Sequence, residues 1–508
     1  MTASVSLDDV DLARLDIIAG RLALMLKSGD VVALSGPLGA GKTTLARALI
    51  AGLGGATEVP SPTFALMQRY ELPHLTLTHC DFYRLESHEL DELGLDDAVS
   101  EGVVIVEWPE RAATWLPHDR LDVAIEETAK PDARRIVLTG HGGWEKRLER
   151  LKALSDFLDG TPYAEAPARY LLGDASTRSY ARLALPGRPA ILMNSPRQPD
   201  GPPIRGGKPY SALVHLAEDV TPFVAVAGTL KEAGLSAPIV YAFDLDRGLM
   251  VLEDLGDAVF GSEVRRGRAL SELWGPAVDV LVALAENEPP RLLPIAGHAP
   301  YRLPRYDAGA MLIEASLLMD WFWPAVHGRA APPSLVSEFE ALWRPLLSDA
   351  ERDDPGWVLR DYHSPNLMWL PERQGIERIG ILDFQDALRG PLAYDLVSLL
   401  QDARLDVPEA LERELLARYC AARGVGSKSF SRDRFVSLYA VLGAQRNSKI
   451  LGIFARLAKR DGKRGYLAHI PRVARYLERD LAHPSLAELR RFYAREFPSA
   501  ENLPPLVV

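Results

Sequence analysis

Gly36-Pro37-Leu38-Gly39-Ala40-Gly41-Lys42-Thr43-Thr44 fits the pattern G-x-x-x-x-G-K-[ST] without a mismatch, and no other stretch narrows the fold of the first third of the chain so far. Such a loop needs a strand to deliver it and a helix to receive it. Apolar Val31 to Leu34 runs into it, and a helical stretch, Thr44 to Leu53, runs out of it. That context predicts a strand–loop–helix phosphate cradle. Backbone N–H groups from Gly36, Gly39, Ala40, Gly41, Lys42, Thr43 and Thr44 are placed to meet phosphate oxygens at a helix N-terminus. The Lys42 ammonium is predicted to reach the β- and γ-phosphates of a bound nucleotide, and the Thr43 hydroxyl to ligate Mg²⁺.

The remainder of this region reads as a parallel α/β sheet. Leu12, Leu15, Ile18, Leu22 and Leu26 recur at helical spacing ahead of the loop. Ala65 to Tyr70 and Leu75 to His79 read as strands, the second delivering Asp81 just past its end. Val103 to Val106 is an unbroken apolar run, as a buried parallel strand requires, and it ends in Glu107. Open α/β sheets bind ligands beyond the carboxyl ends of their strands. Glu107 and Asp81 are therefore the candidate carboxylates for a metal beside the loop. A solvated strand end and a helix cap are the simpler readings of each alone.

The chain has 508 residues, enough for two or three domains of about 150 residues each. Its net charge of −11 argues against broad, sequence-independent nucleic-acid binding by charge alone and leaves room for a local basic patch. Cys80 and Cys420 are the only cysteines, so neither a disulfide framework nor a zinc cluster is expected. No apolar run is long enough to span a membrane, and the start of the chain does not have the pattern of a signal peptide; the expected location is cytoplasmic.

Taken in order, G-P-L-G-A-G-K-T-T, S-P-T-F, H-C-D-F-Y-R-L and V-E-W-P-E make residues 8 to 140 resemble the TsaE family. That family supplies the ATPase of the bacterial machinery that makes N6-threonylcarbamoyladenosine in tRNA. The resemblance implies ATP on residues 36–44, catalytic roles for Lys42 and Glu107, and Mg²⁺ held by Thr43 and Glu107 with Asp81 nearby. It also implies a nucleotide-responsive loop at Ser61 to Phe64, and TsaB and TsaD as partners, with tRNA reached only indirectly.

The other two thirds are organised around Arg360 to Asp386. Asp361 is followed five residues later by Asn366, and the strand Ile379 to Leu382 then ends in Asp383. This is the constellation of a protein-kinase-like catalytic loop. Asp361 would orient the acceptor hydroxyl and take its proton, while Asn366 and Asp383 would hold Mg²⁺. His363 reads as structural or at the substrate edge, and Gln385 and Asp386 as loop residues that could border the acceptor. Two departures stand out. Leu359 occupies the position of the usual catalytic-loop histidine, and Ala190-Ile191-Leu192-Met193-Asn194 lacks the strand lysine that grips phosphates. Another group must anchor them: backbone N–H groups of 174–179, Arg178 or Arg182.

D-A-S-T-R-S-Y-A-R, L-E-D-L-G, R-D-Y-H-S-P-N-L-M-W-L and L-D-F-Q-D-A-L-R-G-P-L make residues 165 to 480 resemble the AmgK group of the aminoglycoside-phosphotransferase superfamily. Those kinases phosphorylate the anomeric hydroxyl of N-acetylmuramate and N-acetylglucosamine in peptidoglycan recycling, and they too lack the strand lysine. The resemblance implies nucleotide contacts at Ser176, Arg178, Glu253 and Leu255, the last two in an interlobe hinge. The expected architecture is thus α/β, a P-loop NTPase domain over 1–147, a linker over 148–164, and a bilobal α+β kinase-like domain over 165–500. Within it the N-lobe spans 165–252, the hinge 253–256 and the C-lobe 257–500. Two other readings stay open: a different small acceptor (an aminoglycoside, choline or homoserine), and a P-loop domain that acts as a nucleotide-responsive regulatory module.

Overall fold

The computed structural model describes residues 3–55, 66–85, 90–171, 178–197, 201–353, 355–426 and 430–508. The chain divides into two compact units, Met1–Arg197 with Val240–Asp254, and Gln198–Ile239 with Leu255–Val508. No helix among the described residues is long and apolar enough to cross a membrane.

The first unit begins with strand β1 (Ala3–Val10) and helix α1 (Leu12–Ala23), capped by the Asp11 side chain. Strand β2 (Val31–Ser35) then enters the phosphate loop, and helix α2 (Lys42–Gly52) leaves it. Strands β3 (Met67–Glu71) and β4 (Thr76–Asp81) follow, then helix α3 (Leu95–Glu101) and strands β5 (Gly102–Glu107), β6 (Arg120–Glu127) and β7 (Arg134–His141). They form one seven-stranded sheet in the order β1-β7-β6-β2-β5-β4-β3. The centre is parallel: β2 pairs with β5 and β6, and β4 with β5. Asp81 is the last residue of β4 rather than the first beyond it, as the sequence suggested, because its backbone stays in register with Glu107. The edge strand β1 went unrecognised in the sequence, although Val5 and Leu7 alternate there with polar residues.

Helix α4 (Trp144–Asp159) comes next. Most of the stretch expected to be a linker, 148–164, is this helix, and its Trp144, Leu148, Leu151, Leu154 and Leu158 are buried. A second sheet of five antiparallel strands follows, built from β8 (Ala168–Leu171), β9 (Ser179–Leu183), β10 (Ala190–Asn194), β11 (Val240–Asp244) and β12 (Leu249–Glu253) in the order β11-β12-β10-β9-β8. One hydrophobic core runs without a break from Leu34 and Leu49 on the P-loop side, through α4, to Ala181, Leu192 and Val251. The sequence-drawn boundary near residue 147 therefore crosses packed interior. Gly20 on α1 shows how close the approach is: a Cβ there would lie 2.3 Å from the Ala168 carbonyl oxygen. Polar ties reinforce the seam. Arg169 bonds Asp16 at 2.8 Å, and Arg150 of α4 donates from Nε to Asn194 Oδ1 at 2.9 Å and to the carbonyls of Arg247 and Gly248.

The second unit is mainly helical: α5 (Thr221–Glu232), α6 (Leu270–Leu284), α7 (Ala308–Leu317), α8 (Pro333–Glu351), α9 (Ala393–Leu400), α10 (Glu409–Gly426), α11 (Arg432–Asp461), α12 (Ile470–Leu481) and α13 (Ala487–Glu496). Two small ladders interrupt it. Strand β13 (Pro355–Val358) pairs with β16 (Leu388–Pro391), and β14 (Leu367–Trp369) with β15 (Ile379–Ile381). A further hairpin pairs Leu292–Ile295 with His298–Arg302.

Removing an indole from the shared core leaves a cavity, and such a truncation costs about 3–5 kcal/mol. Trp144→Ala is expected to destabilise both sheets of the first unit together. Hydrogen exchange checks this: protection should fall in β2, β5 and β6 and in β9, β10 and β12 alike.

Candidate active sites

The phosphate loop folds as its sequence requires. Gly41 caps α2 at φ 110°, and Gly36 turns the chain at φ 143° with Ile125 O 2.5 Å from where a Cβ would be. The Lys42 ammonium donates to the carbonyls of Gly36 at 2.7 Å and Pro37 at 2.9 Å, and lies 3.6 Å from the centre of the Trp108 ring. Burial lowers its pKa, and Glu107, Glu110 and Asp81 oppose that shift.

Glu107 closes the site from the sheet. The Thr43 hydroxyl donates to Glu107 Oε2 at 2.9 Å, and its other oxygen is hydrogen-bonded to the buried His79 Nε2 at 2.8 Å. Parallel pairing places Asp81 beside Glu107, with Asp81 Oδ1 accepting from the Tyr83 N–H at 3.0 Å. Lys42, Thr43, Asp81 and Glu107 thus line one cleft of about 250 Å³, and all four were expected there. His79 and Trp108 were not singled out. Trp108 sits at φ 61°, a conformation that costs an ordinary residue about 1–3 kcal/mol and turns its ring over the lysine. A second recess of about 510 Å³ shares Gly39, Gly41 and Thr44 and extends over Leu12, Asp132 and Arg134. Leu12 is 72% exposed, an apolar face beside the loop. Ser61 to Phe64 lie outside the described residues.

The catalytic-loop residues lie in the second unit. Antiparallel pairing of Leu367 with Ile381 puts Asn366 opposite Leu382, whose N–H donates to the Asn366 carbonyl at 2.9 Å; Asp383 follows at once. The Asn366 amide donates to the Asp361 carbonyl at 3.0 Å. One hairpin therefore brings Asp361, Asn366 and Asp383 together from positions 22 residues apart, with Asp383 held at φ 56° and bonded by Gln385 Nε2 at 2.9 Å. His363 approaches Asp361 Oδ1 at 4.0 Å and the Asn366 amide at 3.4 Å. Burial holds its imidazole below the ordinary range, so its ring is neutral and can accept from Asn366. Asp386 accepts the Ala217 N–H at 2.6 Å.

Buried charges that carried no assignment in the sequence hold this loop. Asp395 on α9 accepts the N–H groups of Leu359 at 2.5 Å and Arg360 at 2.9 Å. Burial pushes its carboxyl up to about 7, against those two bonds. Asp402 accepts from the N–H groups of Ser364, Arg404 and Leu405. Arg360, at φ 72°, reaches back to Glu314 on α7, which also takes the Lys449 ammonium at 2.8 Å. Burial alone would raise the Glu314 carboxyl; Arg360 and Lys449 outweigh it and bring it to about 2. An acidic residue inside an apolar helix, such as Asp395 in Ala393–Leu400, was the available signal.

In the first unit, Arg182 is engaged by Asp254, from Nε to Oδ2 at 2.6 Å. Of the other nucleotide candidates, Ser176 lies outside the described residues, Arg178 immediately precedes β9, and Glu253 ends β12. Leu255 belongs to the second unit.

Metal ions that share their coordination with phosphates need few protein ligands, and those are oxygens. Thr43 with Glu107 and Asp81, and Asn366 with Asp383, are oxygen donor sets of that kind. Among the described residues there is no cluster of three His, Cys, Asp or Glu side chains that would hold a metal by itself.

A phosphate loop on a parallel sheet, followed by a kinase-type catalytic loop in a helical unit, defines an enzyme with two nucleotide-handling modules. The chain belongs to the phosphotransferase enzyme family, whose profile matches residues 167–434, and it carries ahead of that a domain of the threonylcarbamoyl adenosine biosynthesis protein TsaE family, matched over residues 11–136. An N-acetylmuramate/N-acetylglucosamine kinase of Caulobacter vibrioides is 39% identical over 69% of this chain and 97% of its own. One of Pseudomonas aeruginosa is 34% identical over 65% of this chain and 90% of its own. A tRNA threonylcarbamoyladenosine biosynthesis protein TsaE of Streptomyces coelicolor is 44% identical over 24% of this chain and 87% of its own. The protein is thus a fusion of a TsaE-type domain with a kinase-like domain similar to these sugar kinases, and both families use ATP.

Replacing Glu314 by Gln leaves Arg360 and Lys449 buried without their counter-charge, and breaking a buried pair costs about 3–5 kcal/mol. Asp395→Ala strands two buried N–H groups, at about 1–3 kcal/mol each. Urea unfolding should show both losses, and amide exchange at Leu359 and Arg360 should accelerate in the second variant.

Proposed function

We propose that this protein is bifunctional: an ATPase of the tRNA threonylcarbamoyladenosine system, fused to a kinase that phosphorylates the anomeric hydroxyl of N-acetylmuramate and N-acetylglucosamine. The observation that carries the kinase half is the hairpin that sets Asn366 against Asp383, with Asp361 bonded to the same loop. In this reading the Asp361 carboxylate accepts the hydrogen bond of the anomeric hydroxyl and aims its oxygen at the γ-phosphorus. The new O–P bond forms as the bond to the β–γ bridging oxygen breaks. Asp361 takes the hydroxyl proton, and ADP leaves. Asn366 and Asp383 would hold Mg²⁺, which would supply positive charge beside the phosphate oxygens. The neutral His363 keeps the Asn366 amide in place.

In the first unit the loop N–H groups and Lys42 bind the ATP phosphates, and Thr43 and Glu107 hold a second Mg²⁺ with Asp81 beside it. His79 fixes the Glu107 rotamer by taking up one carboxylate oxygen. Leu12 and Arg134 offer the base an apolar face and a cation. The partners are the TsaB and TsaD subunits, tRNA is reached through them, and the chain works in the cytoplasm.

One observation favours an added role for the P-loop domain. Its α1 and α2 share a core with β8, the strand that leads into residues 172–178. A nucleotide that stiffens α2 would bear on that strand, so occupancy of the first site would adjust the kinase as well as serve tRNA modification.

Phosphorus NMR with Mg-ATP and N-acetylmuramate tests the kinase. The full-length protein should give a sugar 1-phosphate signal. Asp361→Ala should lose it and keep nucleotide binding at the P-loop. Consumption of ATP without sugar phosphate, unchanged by that substitution, would refute the assignment. Thr43→Ala should weaken Mg-nucleotide affinity at the P-loop by about tenfold or more, ~1.4 kcal/mol, read by calorimetry on the full chain. A kinase rate altered by Lys42→Ala would support communication, and an unaltered rate would reject it.

A further inference from the structure

Two carboxylates meet in the interior of the helical unit with one cation to share. Glu412 on α10 and Asp480 on α12 are both buried. The Gln401 amide, just past α9, donates from Nε2 to Glu412 Oε1 at 2.9 Å and to Asp480 Oδ1 at 2.8 Å, so one nitrogen holds an oxygen of each. The Tyr439 hydroxyl donates to Glu412 Oε1 at 2.8 Å, and Arg479 pairs with the other Glu412 oxygen. Asn447 Nδ2 on α11 donates to Asp480 Oδ2 at 3.0 Å and to Gln401 Oε1 at 2.7 Å. Among the described residues no cation pairs with Asp480 itself.

Two carboxylates held on one amide, away from water, repel in a medium that screens them poorly, and one of them keeps its proton more readily. The packing leaves no slack to separate them: a Cβ on Gly443 of α11 would lie 2.6 Å from the Asp480 carboxyl. The cluster also carries an unused acceptor, since Asn447 Oδ1 is buried with no donor. A proton on Asp480 is the donor that this ring of side chains lacks. Burial, with Glu412 adding to it, pushes the Asp480 carboxyl well above the ordinary range, against the bonds from Gln401 and Asn447 and the charge of Arg479. Burial and Glu412 likewise hold the Tyr439 phenol well above its ordinary range, so it stays neutral.

Gln401 is followed at once by Asp402, whose carboxylate accepts the N–H groups of Ser364 at 2.7 Å, Arg404 at 2.7 Å and Leu405 at 3.0 Å. Ser364 lies in the catalytic loop between Asp361 and Asn366. The carboxylate pair therefore stands one residue behind an anchor of that loop. We propose that Glu412 and Asp480 share a single proton and act as a pH-sensitive latch. Loss of the proton at alkaline pH drives the two carboxylates apart, slackens Gln401 and loosens the hold of Asp402 on Ser364. Gln401 faces the pair from the end of α9, Tyr439 and Asn447 from α11, and Arg479 from α12; Arg479 is engaged by Glu412, and Asp402 is turned to the loop. An acid whose pKa is raised by folding binds an extra proton in the folded state. Its contribution to stability therefore falls as pH rises from the ordinary Asp value toward the raised one.

Urea unfolding of the full-length protein across pH, beside Asp480→Asn, tests the latch. Asn keeps the shape of the neutral acid and cannot ionise. The ratio of the two unfolding constants should move in favour of the variant by about tenfold per pH unit above about pH 4, until Asp480 ionises in the folded protein. Amide exchange at Ser364, Arg404 and Leu405 should match in the two proteins at about pH 6 and be about tenfold or more faster in the wild type at about pH 9. Parallel stability profiles, or exchange at Ser364 that follows the variant at every pH, overturn the proposal. Should Asp480→Asn not fold, Glu412→Gln removes the repelling charge and should reduce the alkaline loss of stability; an unchanged loss overturns the latch equally. Neither readout requires sugar phosphorylation, so a failed kinase reading would leave this test standing.

Discussion

The apolar interior that joins the P-loop sheet to the five-stranded sheet is the constraint on which the first unit depends. Helix α4 supplies it with five buried side chains spaced so that one face meets both sheets. Gly20 lets α1 come within van der Waals reach of the β8 backbone, which a larger residue would prevent. The polar ties of Arg150 and Arg169 then fix the register of a seam that burial alone would leave free to slide. A module tethered by a flexible linker would show none of these features.

The second unit solves a different problem. A catalytic loop must hold backbone conformations that chains avoid, and Arg360 and Asp383 both stand at positive φ. Buried ions supply the restraint. Asp395 and Asp402 accept the loop's N–H groups, and Glu314 draws the Arg360 side chain inward. The strain at the reacting end is offset by electrostatics one layer below.

Much of this was legible in the chain. The phosphate loop, the parallel strand ending at Glu107 and the Asp361, Asn366, Asp383 constellation are local patterns, and the fold brings the residues of each together. What escaped depended on partners distant in sequence. His79 becomes a neighbour of Glu107 only when β4 and β5 pair, and Glu314 meets Arg360 only across the helical unit. Most of helix α4 falls in the stretch that reads from the sequence as a linker. Its five core-facing residues are spread among Glu, Lys and Arg, so nothing local announced two surfaces to cover. Strand β1 is a weakly patterned edge whose partner, β7, lies more than a hundred residues away.

The continuous core also bears on how this protein persists in a cell. Two separately encoded enzymes can be made and destroyed at different rates, and each tolerates its own mutations. Here a lesion in the P-loop interior would expose the strands of the kinase half to the same proteases and chaperones. Abundance of the two domains is locked at one to one, and the mutational tolerance of each is limited by the other. A TsaE-type domain and a kinase-like domain so joined share a single quality-control fate.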